Sequence, residues 1–205
     1  MIELYHCPSA RSFRCLWALE HLRLPYELKL MAFPPRASMP EYLRINPLGT
    51  VPALRDGGTL IIESAAALQY LAAKYGPALA LTPEEPDYGA FLNWTHYGET
   101  SLTVPLALIV RYKLGPEKLP QAVTDYTENF AARLALVETA LDGREYLAGE
   151  RFTIADISVH YALDLAEFLG LGGQFGPNVA AYAARLREME SYAATRRAQK
   201  VPRPA

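Results

Sequence analysis

The chain has 205 residues, 51% of them hydrophobic, enough to bury one large core or two of ordinary size. With 20 basic against 22 acidic residues and a net charge of −2, it has no basic field to gather a phosphate backbone, so nucleic acid is not an expected partner. Cys7 and Cys15 cannot build a disulfide framework, and the scattered His6, His21, His96 and His160 give no metal-ligand spacing, so no metal is expected.

Residues 1–30 are interrupted by Glu3, Arg11, Arg14, Glu20 and Arg23. No signal peptide, no membrane span and no membrane partner are therefore expected, and the cytoplasm is the expected location. Ile2 to Tyr5 reads as a strand that Pro8 stops. A helix from about Ser12 to Leu22 follows, with Phe13, Leu16, Trp17, Leu19 and Leu22 as its apolar set. Tyr26 to Met31 reads as a second strand, which makes a βαβ unit with parallel strands. Ala32 to Pro40, with three prolines, is expected to be an irregular loop. The turn-rich run Asn46-Pro47-Leu48-Gly49-Thr50-Val51-Pro52-Ala53-Leu54 leads into a strand, and Asp56-Gly57-Gly58 signals a hairpin to the strand Thr59 to Ile62. Glu63-Ser64 opens a helix carrying Leu68, Leu71, Ala72 and Tyr75 on one face, closed by Gly76 and Pro77.

Pro77, Pro83 and Pro86 mark a boundary, beyond which only helical periodicity is found. Helices are expected over Tyr88 to Tyr112, Pro120 to Leu141, Ile154 to Leu169 and Val179 to Ala193. The basic cluster Arg196, Arg197, Lys200 and Arg203 reads as a solvated end. The fold class is α/β followed by all-α: a βαβ-ββα domain over residues 1–77, a linker over 78–87 and a helical domain over 88–205.

Three motifs give the chain a family resemblance. Asn46 to Leu54 is similar to the N-P-x-G-x-V-P-x-L of the cytosolic glutathione transferases. Glu63-Ser64-Ala65-Ala66 resembles their E-S-x-A/I, and Phe152-Thr153-Ile154-Ala155-Asp156-Ile157 resembles their F-T-x-A-D-I. The resemblance implies a thioredoxin-like N-terminal domain that binds glutathione as co-substrate. It also implies a cis bond before Pro52 that turns the backbone of Val51 to the ligand's cysteinyl part, a small hydrophobic electrophile as second substrate, and a homodimer. Some of the physics stands without the family. Ser64 at a helix N-terminus suits the carboxylate of a γ-glutamyl group, and Glu63 suits its ammonium. Thr153 and Asp156 have capping-box spacing, with Phe152 and Ile157 as a hydrophobic staple, a folding feature with no assigned chemistry.

The expected chemistry is stabilisation of the bound thiolate. A free thiol has a pKa of about 8.5. Lowering it by about two units takes roughly 2.7 kcal/mol, within reach of one hydrogen bond to a charged acceptor plus a helix N-terminus. Ser9, Ser12, Tyr5 and Cys7 are the groups on offer near the first helix. Counted from Pro8, the serine of the family's P-x-S pattern falls on Ala10, a departure that leaves Ser9 and Ser12 as the hydroxyl candidates. Read as Cys7-Pro8-Ser9-Ala10, the stretch resembles omega-type transferases and the first half of a glutaredoxin motif. That alternative implies Cys7-dependent thiol–disulfide transfer. The resemblance also implies a residue for the glycine carboxylate in the loop before Asn46-Pro47, where Arg36 is the basic residue available. Trp94, Tyr97, Arg111 and Tyr112, with His96 and Thr100, are the electrophile-pocket candidates, on the resemblance that this pocket is lined by the first helix of the bundle. A non-catalytic binding or regulatory module is the remaining alternative, since fold does not fix function.

Overall fold

The computed structural model describes residues 1–200; Arg203 of the basic cluster lies outside them. The described residues form two compact units, residues 1–77 with residues 187–200, and Ala78–Leu186.

In the first unit the strands are β1 (Ile2–His6), β2 (Tyr26–Leu30), β3 (Ala53–Asp56) and β4 (Thr59–Ile61). They lie in the order β2-β1-β3-β4. β1 runs parallel to β2, as a βαβ unit requires, while β1–β3 and β3–β4 are antiparallel. Leu4 sits opposite both Leu28 and Leu54, which sets an apolar row at the sheet centre. Gly57, at φ 58°, closes the Asp56-Gly57-Gly58 hairpin in a conformation glycine adopts without a Cβ penalty.

Helices α1 (Phe13–His21) and α3 (Ser64–Tyr75) pack together and complete the core. Leu16, Trp17, Leu19, Leu68 and Leu71 are fully buried. Each such side chain contributes about 1.5–3 kcal/mol over exposure. Cys15 is buried among them, and burial pushes its thiol up to about 12, a packing role. Two details differ from the sequence expectation. Tyr75 leaves the apolar face: it is 36% exposed and its hydroxyl joins those of Tyr70 and the Lys74 ammonium on Asp56. The expected loop 32–40 contains a short helix, α2 (Pro35–Ser38), and a 3-10 turn begins at Pro40, because proline is at home in a helix's first turn.

The second unit is helical: α4 (Tyr88–Tyr97), α5 (Val104–Leu114), α6 (Pro120–Ala140), α7 (Ile154–Phe168) and α8 (Pro177–Arg187, whose final residue belongs to the first unit). The single helix expected over 88–112 is broken by a π turn, Gly98–Thr103. Pro105 has no N–H to give the carbonyl one turn back, and the Thr103 hydroxyl occupies the Gly98 carbonyl at 2.7 Å. Gly98 also abuts Ser158 so closely that a Cβ would fall 2.5 Å from its backbone. Thr153 and Asp156 form the expected capping box.

The helix expected over 179–193 is also divided. Met189, with ψ 132°, ends the run and caps α9 (Glu190–Ala198). Glu188 and Met189 are good helix formers, so the break is tertiary: α9 belongs to the first unit and packs on α1. Arg196 and Arg197 are therefore helical rather than part of a tail, although exposed as expected.

Candidate functional site

The loop entering β3 is built around Asn46, which is fully buried. Its Oδ1 accepts the Leu48 amide at 3.1 Å, an Asx turn. Its Nδ2 donates to the Thr50 carbonyl at 2.8 Å, which also accepts the Tyr42 hydroxyl at 2.6 Å. Gly49, at φ 62°, makes the bend and lies against Arg36, where a Cβ would come within 3.1 Å of the arginine's own Cβ. Clamped at Thr50, the chain enters a cis Val51–Pro52 bond. Val51 is 7% exposed, and among the described residues neither its N–H nor its C=O has a partner. Such a pair of groups is free to bond an extended peptide-like ligand.

At the start of α3, Ser64 is not the N-cap residue. Glu63 holds the extended N-cap position (φ −101°, ψ 124°) with no side-chain cap bond, and Ser64 is the first helical residue. The Ser64 hydroxyl is 2% exposed and accepts a bond from Arg14 at 3.2 Å, so its own proton is available to an acceptor. The amides of Ser64, Ala65 and Ala66 have no partner among the described residues. Donor groups, a helix dipole and the fully buried guanidinium of Arg14 thus gather at one point, the arrangement that receives a carboxylate. Glu63 is exposed beside it. Arg14 escaped the sequence reading, although a signal existed. In Phe13-Arg14-Cys15-Leu16-Trp17-Ala18-Leu19 it is the one charge in a helix buried all round, and such a charge requires partners.

The turn before α1 sorts the catalytic candidates by exposure. Cys7 is fully buried, its thiol faces the Ala32 carbonyl at 3.6 Å, and burial pushes it up to about 11. Ser12 is also fully buried; its Oγ lies 2.8 Å from His6 Nδ1 and accepts the Cys7 amide at 3.3 Å. Burial drops the His6 imidazolium to about 4, against weaker opposing pulls from Gln199 and Ser12, so the ring is neutral near pH 7. Among the described residues its Nε2 has no partner in hydrogen-bonding geometry, although Gln199 is near enough to affect its charge. Ser9 alone of the three candidates is exposed. It takes a left-handed conformation at φ 58°. Tyr5, the remaining hydroxyl nearby, is 8% exposed and packs its ring on Tyr42 at 5.3 Å.

Arg36 is exposed and donates to the Leu48 carbonyl at 2.6 Å, which spends one of its five donors. In the second unit Trp94 and Tyr97 are half-buried and meet edge to face at 5.0 Å. The Tyr97 hydroxyl donates to the Arg133 carbonyl at 3.1 Å. Arg111 is exposed, 3.8 Å from Glu117, with its guanidinium 5.4 Å from the Tyr112 ring centroid. An open depression at the C-terminal end of α1, lined by Glu20, His21, Arg23 and Met189, contains none of these candidates. Among the described residues no group of three or more His, Cys, Asp or Glu could hold a metal ion, and no helix is long and apolar enough to cross a membrane.

Along nearly its whole length the chain is similar to known proteins. The glutathione S-transferase N-terminal domain matches residues 8–74 and the glutathione S-transferase C-terminal domain matches residues 120–185. Glutathione S-transferase 3 of Schizosaccharomyces pombe is 31% identical over 181 residues, covering 82% of this chain and 75% of its own. Glutathione S-transferase D7 of Drosophila melanogaster is 30% identical over 187 residues, covering 87% and 80%. The crystal structure of the glutathione transferase URE2P8 from Phanerochaete chrysosporium, solved with oxidized glutathione, superposes with a TM-score of 0.85 at 28% identity, covering 97% of this chain and 94% of that one. Sequence motifs, βαβ-ββα topology and relatives on both sides of the domain boundary converge: the chain belongs to the glutathione S-transferase family.

Proposed function

We propose that this chain transfers glutathione to small apolar electrophiles, with Ser9 stabilising the bound thiolate. The observation that carries the reading is the difference in exposure before α1: Ser9 is exposed, while Cys7 and Ser12 are buried. In this reading Val51 and Pro52 hold the cysteinyl backbone, and Ser64 with the open α3 amides holds the γ-glutamyl carboxylate. Glu63 pairs with its ammonium, and Arg36 receives the glycine carboxylate with its remaining donors. The thiol proton leaves to solvent and the Ser9 O–H donates to the sulfur anion. The sulfur–carbon bond then forms as the leaving-group bond breaks, so catalysis consists of pKa adjustment and proximity. Trp94, Tyr97 and Tyr112, with Arg111 as a polar handle, form the apolar face offered to the electrophile.

Support for glutathione as the ligand comes from the unpartnered Val51 backbone, from the uncapped α3 end, and from the relative solved with oxidized glutathione. The buried, upshifted Cys7 thiol weighs against thiol–disulfide transfer, which needs an accessible thiolate. The test is a parallel assay of wild type, Ser9→Ala and Cys7→Ser on an aromatic halide and on a glutathione mixed disulfide. Halide conjugation should survive Cys7→Ser and fall on the order of ten- to a hundredfold with Ser9→Ala. Disulfide activity abolished by Cys7→Ser would overturn the reading, and glutathione binding without either activity would leave a binding module.

A further inference from the structure

The Ser9 turn is held from the far end of the sequence. α9 is anchored on α1 by Tyr192, whose ring meets Phe13 at 5.7 Å and Trp17 at 5.1 Å, both edge to face. Ser191 adds polar contacts, its Oγ lying 3.1 Å from Trp17 Nε1 and 3.1 Å from His21 Nδ1. This anchoring delivers Gln199, which follows α9 and is 6% exposed, to the turn. Its Oε1 accepts the Ser9 amide at 2.9 Å across 190 positions of sequence.

Ser9 is a residue whose conformation has to be held. At φ 58° its Cβ crowds the following carbonyl, and a serine takes that shape only where its surroundings enforce it. The turn is closed on either side by Ala10 N–H to Cys7 O at 3.1 Å and Phe13 N–H to Ala10 O at 2.8 Å. Gln199 supplies the acceptor for the amide of the strained residue itself. We propose that Gln199 is a positioning residue for the Ser9 hydroxyl: by accepting the Ser9 amide it fixes the left-handed turn, so the C-terminal segment sets how strongly the bound thiol is acidified. This inference rests on the reading of Ser9 given above.

The experiment measures the pKa of the glutathione thiol bound to the full chain, from thiolate absorbance against pH, together with glutathione affinity and thermal midpoint. The variants are Gln199→Ala, Gln199→Glu, Ser9→Ala and the double variant Gln199→Ala with Ser9→Ala. Gln199→Ala should raise the bound thiol pKa and lower kcat/KM on the order of five- to tenfold, with glutathione affinity held within about twofold. Gln199→Glu, which keeps the acceptor but adds a like charge near the thiolate, should restore both only in part. In the Ser9→Ala background Gln199→Ala should add nothing further to the thiol pKa. An unmoved thiol pKa in Gln199→Ala, or an equal shift with and without the Ser9 hydroxyl, would overturn the inference while leaving Ser9 intact. If Ser9→Ala itself leaves the thiol pKa in place, the reading of Ser9 fails first and the inference falls with it.

Discussion

The N-termini of α3 and α7 solve the same physical problem in opposite ways. Each helix begins with amides that lack an intrahelical acceptor. α7 satisfies its own: the Thr153 Oγ1 accepts the Ala155 amide at 3.3 Å, and Asp156 reaches back to the Thr153 amide at 2.8 Å. Asp156 also receives the Leu147 amide at 3.1 Å and the Tyr182 hydroxyl at 3.0 Å, which closes the helix end inside the core of its unit. α3 has no side-chain cap, and a buried arginine stands behind its first hydroxyl. Where the chain supplies the acceptors the helix end contributes stability. Where it withholds them, the helix end has electrostatic capacity left for a ligand.

The largest effect expected from breaking this contrast is at α7. Asp156→Ala removes one acceptor group from the Leu147 and Thr153 amides and the Tyr182 hydroxyl at once, and should cost about 3–5 kcal/mol in urea unfolding. Asp156→Asn should cost less, since an acceptor oxygen remains.

Next in size is a pair of opposed pH responses, each worth about 3 kcal/mol at most. His6 sits near 4 in the folded chain, below its ordinary 6.5, because of burial. Its contribution is complete above 6.5 and is lost as pH falls toward 4, since the unfolded chain takes the proton first. Asp156 is raised by burial from 3.8 to about 6. Its contribution runs the other way, present below 3.8 and lost as pH rises through 6. Urea midpoints at about pH 7 and pH 5 should show His6→Gln to be less acid-labile than wild type and Asp156→Asn to be more so.

A smaller, functional effect is expected at α3. Ser64→Ala should shift the thermal midpoint by only a few degrees, since Arg14 keeps other interactions, yet weaken glutathione binding on the order of tenfold in calorimetry. Smallest is Arg111→Ala, which should change stability by under about 0.5 kcal/mol, because its pairing with Glu117 is exposed. A change in KM for the electrophile without a change in stability would sharpen its assignment to the apolar face.

The parts of this account that were legible in the sequence are local. The Asp56-Gly57-Gly58 hairpin, the cis-proline run and the Thr153 capping box each fit within ten residues, where turn chemistry and capping preferences act directly. The π turn at Gly98–Thr103 combines the local effects of Thr103 and Pro105 with the close meeting of Gly98 and Ser158 across 60 positions, and the break at Met189 depends on α9 finding Trp17. No window on the sequence contains both members of either contact. The site divides the same way. The cis bond before Pro52 and the helix start at Glu63-Ser64 were each readable from their own motifs. Arg14 stood out in sequence as a lone charge in an apolar helix, but its partner Ser64 lies 50 positions away; the ranking of Ser9 over Cys7 and Ser12 needed burial, and Gln199 needed the third dimension.

The central claim is that the open end of α3 is a ligand site. Titration calorimetry of glutathione against wild type, Glu63→Gln and Asp156→Asn tests it most directly, with the last variant as the control at the closed helix end. Wild type should bind, Glu63→Gln should bind on the order of tenfold more weakly at an unchanged thermal midpoint, and Asp156→Asn should bind as wild type while melting earlier. Equal affinity in wild type and Glu63→Gln, or a loss of binding that follows stability in Asp156→Asn, would contradict it.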